Sequence, residues 1–124
     1  MKRDLDLCRE LMMAFEEAPP GHPVQQLAMQ TDHDPVTVLA HIDLLIKADL
    51  LEGYSRPIPG NPSGGMFLVK AVTWAGHDFI ASAKSEKVWN VAKDRVKKAG
   101  SWTFGLLLEV LKDEAKRQLG SFLP

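Results

Sequence analysis

The sequence has one cysteine, no long apolar run and no excess of charge of either sign. A lone Cys8 excludes an internal disulfide, so the fold must rest on packing, and it suits a reducing compartment. No apolar stretch approaches the roughly 18 residues that a membrane-spanning helix needs. The opening Met1-Lys2-Arg3-Asp4-Leu5-Asp6 is too charged to serve as the apolar segment of a signal peptide. Fifteen lysines and arginines against sixteen aspartates and glutamates leave a net charge of −1. That balance excludes a protein held to nucleic acid by bulk charge. The expectation is a soluble cytoplasmic protein without membrane contact.

Catalytic signatures are equally scarce. Gly60-Asn61-Pro62-Ser63-Gly64-Gly65 lacks the Gly-Lys-Ser/Thr ending of a phosphate-binding loop. His22, His33, His41 and His77 show no i, i+4 pairing, and there is no cysteine pair to complete a metal site. The sequence therefore reads as a non-enzyme with no cofactor and no metal.

What is present is helical periodicity interrupted by turns. Leu5, Cys8, Met12 and Phe15, with Leu11 beside them, predict a helix over 4–18 and place Cys8 as a small buried hydrophobe. Pro19-Pro20-Gly21 ends it. Pro23 can open a short second helix over 23–30, with Val24, Leu27 and Ala28 facing inward. Gln30-Thr31-Asp32-His33 is a polar turn, and Asp34-Pro35 restarts the chain, with Asp34 as a capping side chain. A third helix over 35–48 would turn Leu39, Ile42, Leu45 and Ile46 inward and Thr37, Ala40, His41, Leu44 and Lys47 outward. Residues 50–56 and 66–73 read as strands, separated by the proline- and glycine-rich 57–65. Three helices followed by a hairpin with a long loop is the order of a winged helix-turn-helix. The fold class is thus mainly α (α+β), with a two-stranded wing and C-terminal helices.

Thr73 is a suitable cap for the next helix, on which Trp74, His77, Ile80 and Ala81 fall at helical spacing. Trp74 is expected in the core. His77 and Asp78 are adjacent, so on a helix their side chains diverge by about 100° and do not readily form a dyad. Capping and packing explain the pair more simply than catalysis. A kink near Ser85 leads to a helix over 84–99 with Trp89, Ala92, Val96 and Ala99 in a stripe and a basic opposite face. The last helix, 103–119, aligns Phe104, Leu107, Leu108, Leu111, Ala115 and Leu119, with Leu106 and Val110 widening the stripe. That face is broader than one neighbouring helix would cover, which predicts a homodimer through Phe104, Leu107, Leu108, Leu111 and Leu119. Domain organisation follows as a winged-helix core over 1–83 and a C-terminal helical extension over 84–124.

Five segments, "MKRDLDLCRELM", "VLAHIDLLIKADLLEG", "VTWAGHDFI", "VWNVAKDRVKKAGS" and "TFGLLLEVLKDEAKRQLG", resemble a bacterial and phage family of uncharacterised domains over nearly the whole chain. That family begins Met-Lys-Arg-Asp and carries Leu-Thr-Trp-Glu-Gly-His-Asp-Phe. Here the second motif reads Val72-Thr73-Trp74-Ala75-Gly76-His77-Asp78-Phe79, with Val72 in place of Leu and Ala75 in place of Glu. The resemblance implies phage or prophage association and a winged-helix-like fold, and it implies no activity.

Two functions fit these residues. One is a phage- or prophage-associated regulator binding double-stranded DNA. Its contacts would come from Thr37, His41, Lys47 and Arg56 on the winged helix and from Lys93, Arg95, Lys97 and Lys98 on the basic stretch. The other is a winged-helix protein-interaction module that engages a host or phage protein without DNA. Asp34, Asp43 and Asp49 make the third helix net negative, which favours the second; the winged-helix order favours the first by analogy, and the DNA-binding regulator is the leading expectation with the interaction module as its alternative.

Overall fold

Asp4 starts the first helix. In the computed structural model, which describes residues 2–18, 33–56, 66–100 and 103–120, its carboxylate accepts the Leu7 N–H at 3.1 Å. Helix α1 (Leu5–Glu17) then buries Leu7, Cys8, Leu11, Met12 and Phe15. It stops at Ala18, whose extended backbone (φ −67°, ψ 142°) is the conformation that a following proline imposes. Burial and the charge on Asp4 push the Cys8 thiol up to about 11. A thiol held protonated in the folded state contributes stability that is full below about pH 9 and lost as pH rises to about 11. Native Cys8 should therefore react slowly with a disulfide reagent at pH 8 and at the rate of a free thiol in urea. Equal rates in the two states would refute its burial.

Helix α2 (Pro35–Lys47) has proline in its first turn, as the Asp34-Pro35 pair predicts. The expected cap from Asp34 is not made. Its carboxylate instead faces the Thr37 hydroxyl at 3.5 Å. The helix ends on Asp49 in the left-handed region (φ 63°), with Asp49 N–H to Ile46 O and Leu50 N–H to Leu45 O, both 3.0 Å. These are the two bonds of a Schellman ending, with aspartate where glycine is usual. Val38, His41, Ile42 and Leu45 form the buried face, so the helix is rotated from the expected orientation and His41 points in. The second helix expected over 23–30 lies outside the described residues, as do residues 30–32 of the turn after it and the 57–65 loop.

Strands β1 (Leu51–Arg56) and β2 (Met66–Val72) pair antiparallel, from Leu51 opposite Val72 to Arg56 opposite Met66. The register shifts between Glu52 and Gly53, leaving Lys70 as the additional residue. Glycine is required at this bulge, because a Cβ on Gly53 would stand 2.1 Å from Leu68 O. Leu51, Phe67 and Val69 are buried, while Glu52, Tyr54 and Arg56 alternate outward. Phe67 meets Phe15 edge-on at 6.5 Å between ring centres.

Three more helices follow: α3 (Trp74–Ala83), α4 (Glu86–Lys98) and α5 (Phe104–Gly120). The described chain is thus mainly helical, with one two-stranded sheet. It divides into two units, Met1–His77 and Asp78–Pro124, and the division falls within α3. In the second unit the Ser85 hydroxyl accepts Val88 N–H at 3.3 Å and starts α4, which buries Val88, Trp89, Ala92 and Val96. Ala99, expected in that stripe, is exposed at the helix end. Gly100 leaves α4 with φ 77°, and the Thr103 hydroxyl accepts Leu106 N–H at 3.1 Å to start α5. Phe79 packs edge-on against Trp89 at 6.0 Å and tilted against Phe104 at 5.7 Å. Glu114, only 3% exposed, is held by Arg95 at 2.8 Å and Arg117 at 3.1 Å. Buried side-chain oxygens need such hydrogen-bond partners.

Candidate functional site

The motif Thr73-Trp74-Ala75-Gly76-His77-Asp78 is built around a close approach. The Thr73 N–H donates to Leu50 O at 3.1 Å, and its hydroxyl donates to Asp49 O at 2.6 Å. The same hydroxyl oxygen accepts Gly76 N–H at 3.0 Å, the cap the sequence predicts. Gly76 is buried so closely that a Cβ would meet Leu50 O at 2.2 Å. Further along α3 the buried residues are Phe79, Ile80 and Ala83.

The expected stripe of Trp74, His77, Ile80 and Ala81 is therefore out of phase. Trp74 is not core: it is 89% exposed. His77 and Ala81 are exposed too, and of that stripe only Ile80 is buried. The nearest acid to His77 is Glu16, 3.6 Å from Nδ1, on α1. The signal for this phase was in the sequence, since 76, 79, 80 and 83 follow i, i+3, i+4, i+7 with small or apolar residues. Tryptophan's size argued for the wrong face.

The residues expected to contact nucleic acid are separated into two groups. In the first unit, Thr37 is half-buried and Arg56 is exposed at the end of β1. His41 is corrected from an outward contact to a wholly buried one. Its Nδ1 lies 2.8 Å from Thr37 O and its Nε2 accepts Asp4 N–H at 2.8 Å. The network assigns the proton to Nδ1 and leaves neither nitrogen for a base edge or a phosphate. His41→Ala should leave the Asp4 N–H unsatisfied at the start of α1 and lose about 1–3 kcal/mol. A denaturant titration matching wild type would refute that role. Lys47 stands 2.7 Å from Asp43, which also accepts from Ser55 at 2.6 Å. The Lys47 and Ser55 hydrogen bonds hold the Asp43 carboxyl below its ordinary range.

In the second unit, Lys97 is exposed and Lys98 is 3.0 Å from Asp94. Lys93 is half-buried with its ammonium 5.8 Å from the centre of the Trp89 ring. Arg95 contacts Asp113 at 2.9 Å as well as Glu114, an ion pair that joins α4 to α5. Bonding to Asp113 and then to Glu114 raises the guanidinium pKa above its ordinary value. Among the expected dimer residues, Leu107 and Leu111 are 0% exposed within one chain and cannot form an outer face. Phe104 and Leu108 are half-buried, and Leu119 is 61% exposed.

Charge follows the division of the chain. The first unit carries six lysines and arginines against ten aspartates and glutamates, a net of −4. The second carries nine against six, a net of +3. Among the described residues no group of His, Cys, Asp and Glu is arranged to hold a metal ion, and no helix is long and apolar enough to cross a membrane.

No solved structure matches the chain. A Haemophilus influenzae protein named "Uncharacterized protein" is 27% identical over 123 residues, covering 99% of each chain. Residues 2–102 match the model of the family described as "Hypothetical protein (DUF2513)", and the chain belongs to that family.

Proposed function

We propose that the first unit is a winged-helix protein-interaction module that engages a host or phage protein without binding DNA. Its net charge of −4 carries this reading. Duplex affinity comes largely from cations that displace counterions from phosphates. Here α2 offers His41 sealed inside and Lys47 matched by Asp43. The order of α1, α2 and the β1–β2 hairpin supports the winged-helix assignment, but that fold alone does not make a DNA-binding protein. In a fluorescence titration at 150 mM salt, a 30-base-pair duplex should bind no tighter than about 100 µM, the weak end of non-specific binding. Immobilised protein should capture a partner from bacterial lysate equally well with and without nuclease. Micromolar duplex binding, or capture that nuclease abolishes, would overturn the reading.

The second unit supports a second reading, a regulator of phage or prophage genes whose DNA contacts come from α4. Its net charge of +3 and the exposed Lys87, Lys97 and Lys98 favour it. A homodimer through the outer side of α5, with Leu119 at its edge, would double those contacts. Lys97→Glu with Lys98→Glu should then weaken binding uniformly across sequences and flatten its salt dependence. Light scattering should give twice 13.8 kDa, falling to one chain in a Leu108→Asp, Leu119→Asp variant. A duplex affinity unchanged by the charge reversal would rule this reading out.

A further inference from the structure

The 89% exposure of Trp74 is unusual for the largest apolar side chain, and it occurs where the backbone is firmly fixed. Thr73 is bonded to Asp49 O and Leu50 O on one side and to Gly76 N–H on the other. Gly76 seats the first turn of α3 directly on Leu50. The indole therefore projects from an anchored platform. Rigid aromatic groups of this kind lose little conformational entropy on binding and recur as interface anchors.

The surroundings indicate what the ring would receive. Residues 71–73 run alongside 49–52, since Ala71 and Val72 pair with Glu52 and Leu51 and Thr73 bonds to 49 and 50. Asp49 and Glu52 are exposed there, and Tyr54, 51% exposed, shares the outer face of β1 with Glu52. Residues 48–55 and 71–76 contain two carboxylates and no lysine, arginine or histidine. Of the basic residues just beyond, Lys47 is matched by Asp43 and His77 lies 3.6 Å from Glu16, while Lys70 and Arg56 are exposed, Arg56 following Glu52 and Tyr54 along the outer face of β1. Aromatic faces beside carboxylates, on a unit of net charge −4, are complementary to cations. An ammonium or guanidinium over a tryptophan face is attracted by the ring quadrupole.

We propose that Trp74, Tyr54, Asp49 and Glu52 form a docking surface for a lysine- or arginine-bearing segment of another protein, one cation over the Trp74 ring and others on the two carboxylates. This rests on the interaction-module reading and names the chemistry of its partner. The probes are two heptapeptides, Gly-Arg-Gly-Arg-Gly-Arg-Gly and its glutamate counterpart, titrated into the full chain while the Trp74 indole N–H is followed by NMR. The arginine peptide should shift that signal saturably, less so at high salt, and the glutamate peptide should leave it unmoved. Affinity should fall roughly 2- to 5-fold in Trp74→Ala, followed through backbone amides, as expected for an exposed cation–π contact. Asp49→Asn with Glu52→Gln should lower it by a similar factor. No shift with the arginine peptide, or equal shifts with both, overturns the proposal.

A second arm separates this inference from the reading beneath it. Photo-reactive benzoylphenylalanine at position 74 is cross-linked in bacterial lysate and the joined segment is sequenced. A segment rich in lysine or arginine supports the proposal. A segment without them, or a second copy of this chain, overturns it while the module reading stands. Nuclease-resistant capture with no cross-link at 74 moves the docking surface elsewhere and overturns it as well. Loss of all protein capture removes the module reading too.

Discussion

Trp89→Ala should lose about 3–5 kcal/mol of folding stability. Trp74→Ala should change it by less than about 0.5 kcal/mol, as surface substitutions usually do. Trp89 is 2% exposed, packs edge-on against Phe79 at 6.0 Å and carries the Lys93 ammonium over its ring. Truncation would remove the ring from the middle of the second unit and leave a cavity that Phe79, Phe104 and the leucines of α5 can only partly close. Trp74 is already 89% in water, so its removal uncovers almost nothing. Urea titrations of the two variants, followed by circular dichroism, give the comparison. A Trp74→Ala loss as large as that of Trp89→Ala would mean that Trp74 belongs to the core after all.

Gly76→Ala is the second large effect, expected at the upper end of the roughly 1–3 kcal/mol that overpacking costs. The added methyl would stand 2.2 Å from Leu50 O, 2.7 Å from Val72 Cγ1 and 3.0 Å from Met12 Cε. The methionine terminus can move aside. The carbonyl cannot do so cheaply, because it accepts the Thr73 N–H and belongs to the turn closed by Asp49. The methyl therefore separates the first turn of α3 from the end of α2. Gly105→Ala is the matched control: it is also helical, and its nearest neighbour outside the helix backbone is Thr103 Oγ1 at 3.8 Å. There alanine should stabilise by about 0.5–1 kcal/mol through helix preference alone. A Gly76→Ala melt coincident with wild type would show that the close approach is not real.

The order of elements was legible in the sequence because local chemistry sets it. Asp34-Pro35, Thr73 and Ser85 mark helix starts, the proline that follows Ala18 marks an end, and aromatic and aliphatic residues on either side of the proline- and glycine-rich 57–65 mark the strands. The buried faces of α1 and α4 were read in the main because each has one apolar stripe opposed by charge, although Leu7 rather than Leu5 is buried in α1 and Ala99 lies exposed at the end of α4. Those of α2 and α3 were not, and the reason is physical. α2 is apolar on nearly every side, so periodicity offers several inward faces of similar merit. Tertiary contacts chose the one with His41, whose imidazole completes the start of α1 through Asp4, 37 residues away. For α3 the spacing of 76, 79, 80 and 83 offered one face and the size of Trp74 argued for another; the seating of Gly76 on Leu50, a contact between segments, decides its first turn. That contact fixes the first turn of α3, where Trp74 stands in water. Residue types and spacing determined where the helices and strands run. Which side of α2 and α3 faces solvent, and so which residues a partner can touch, was decided only when the segments packed together.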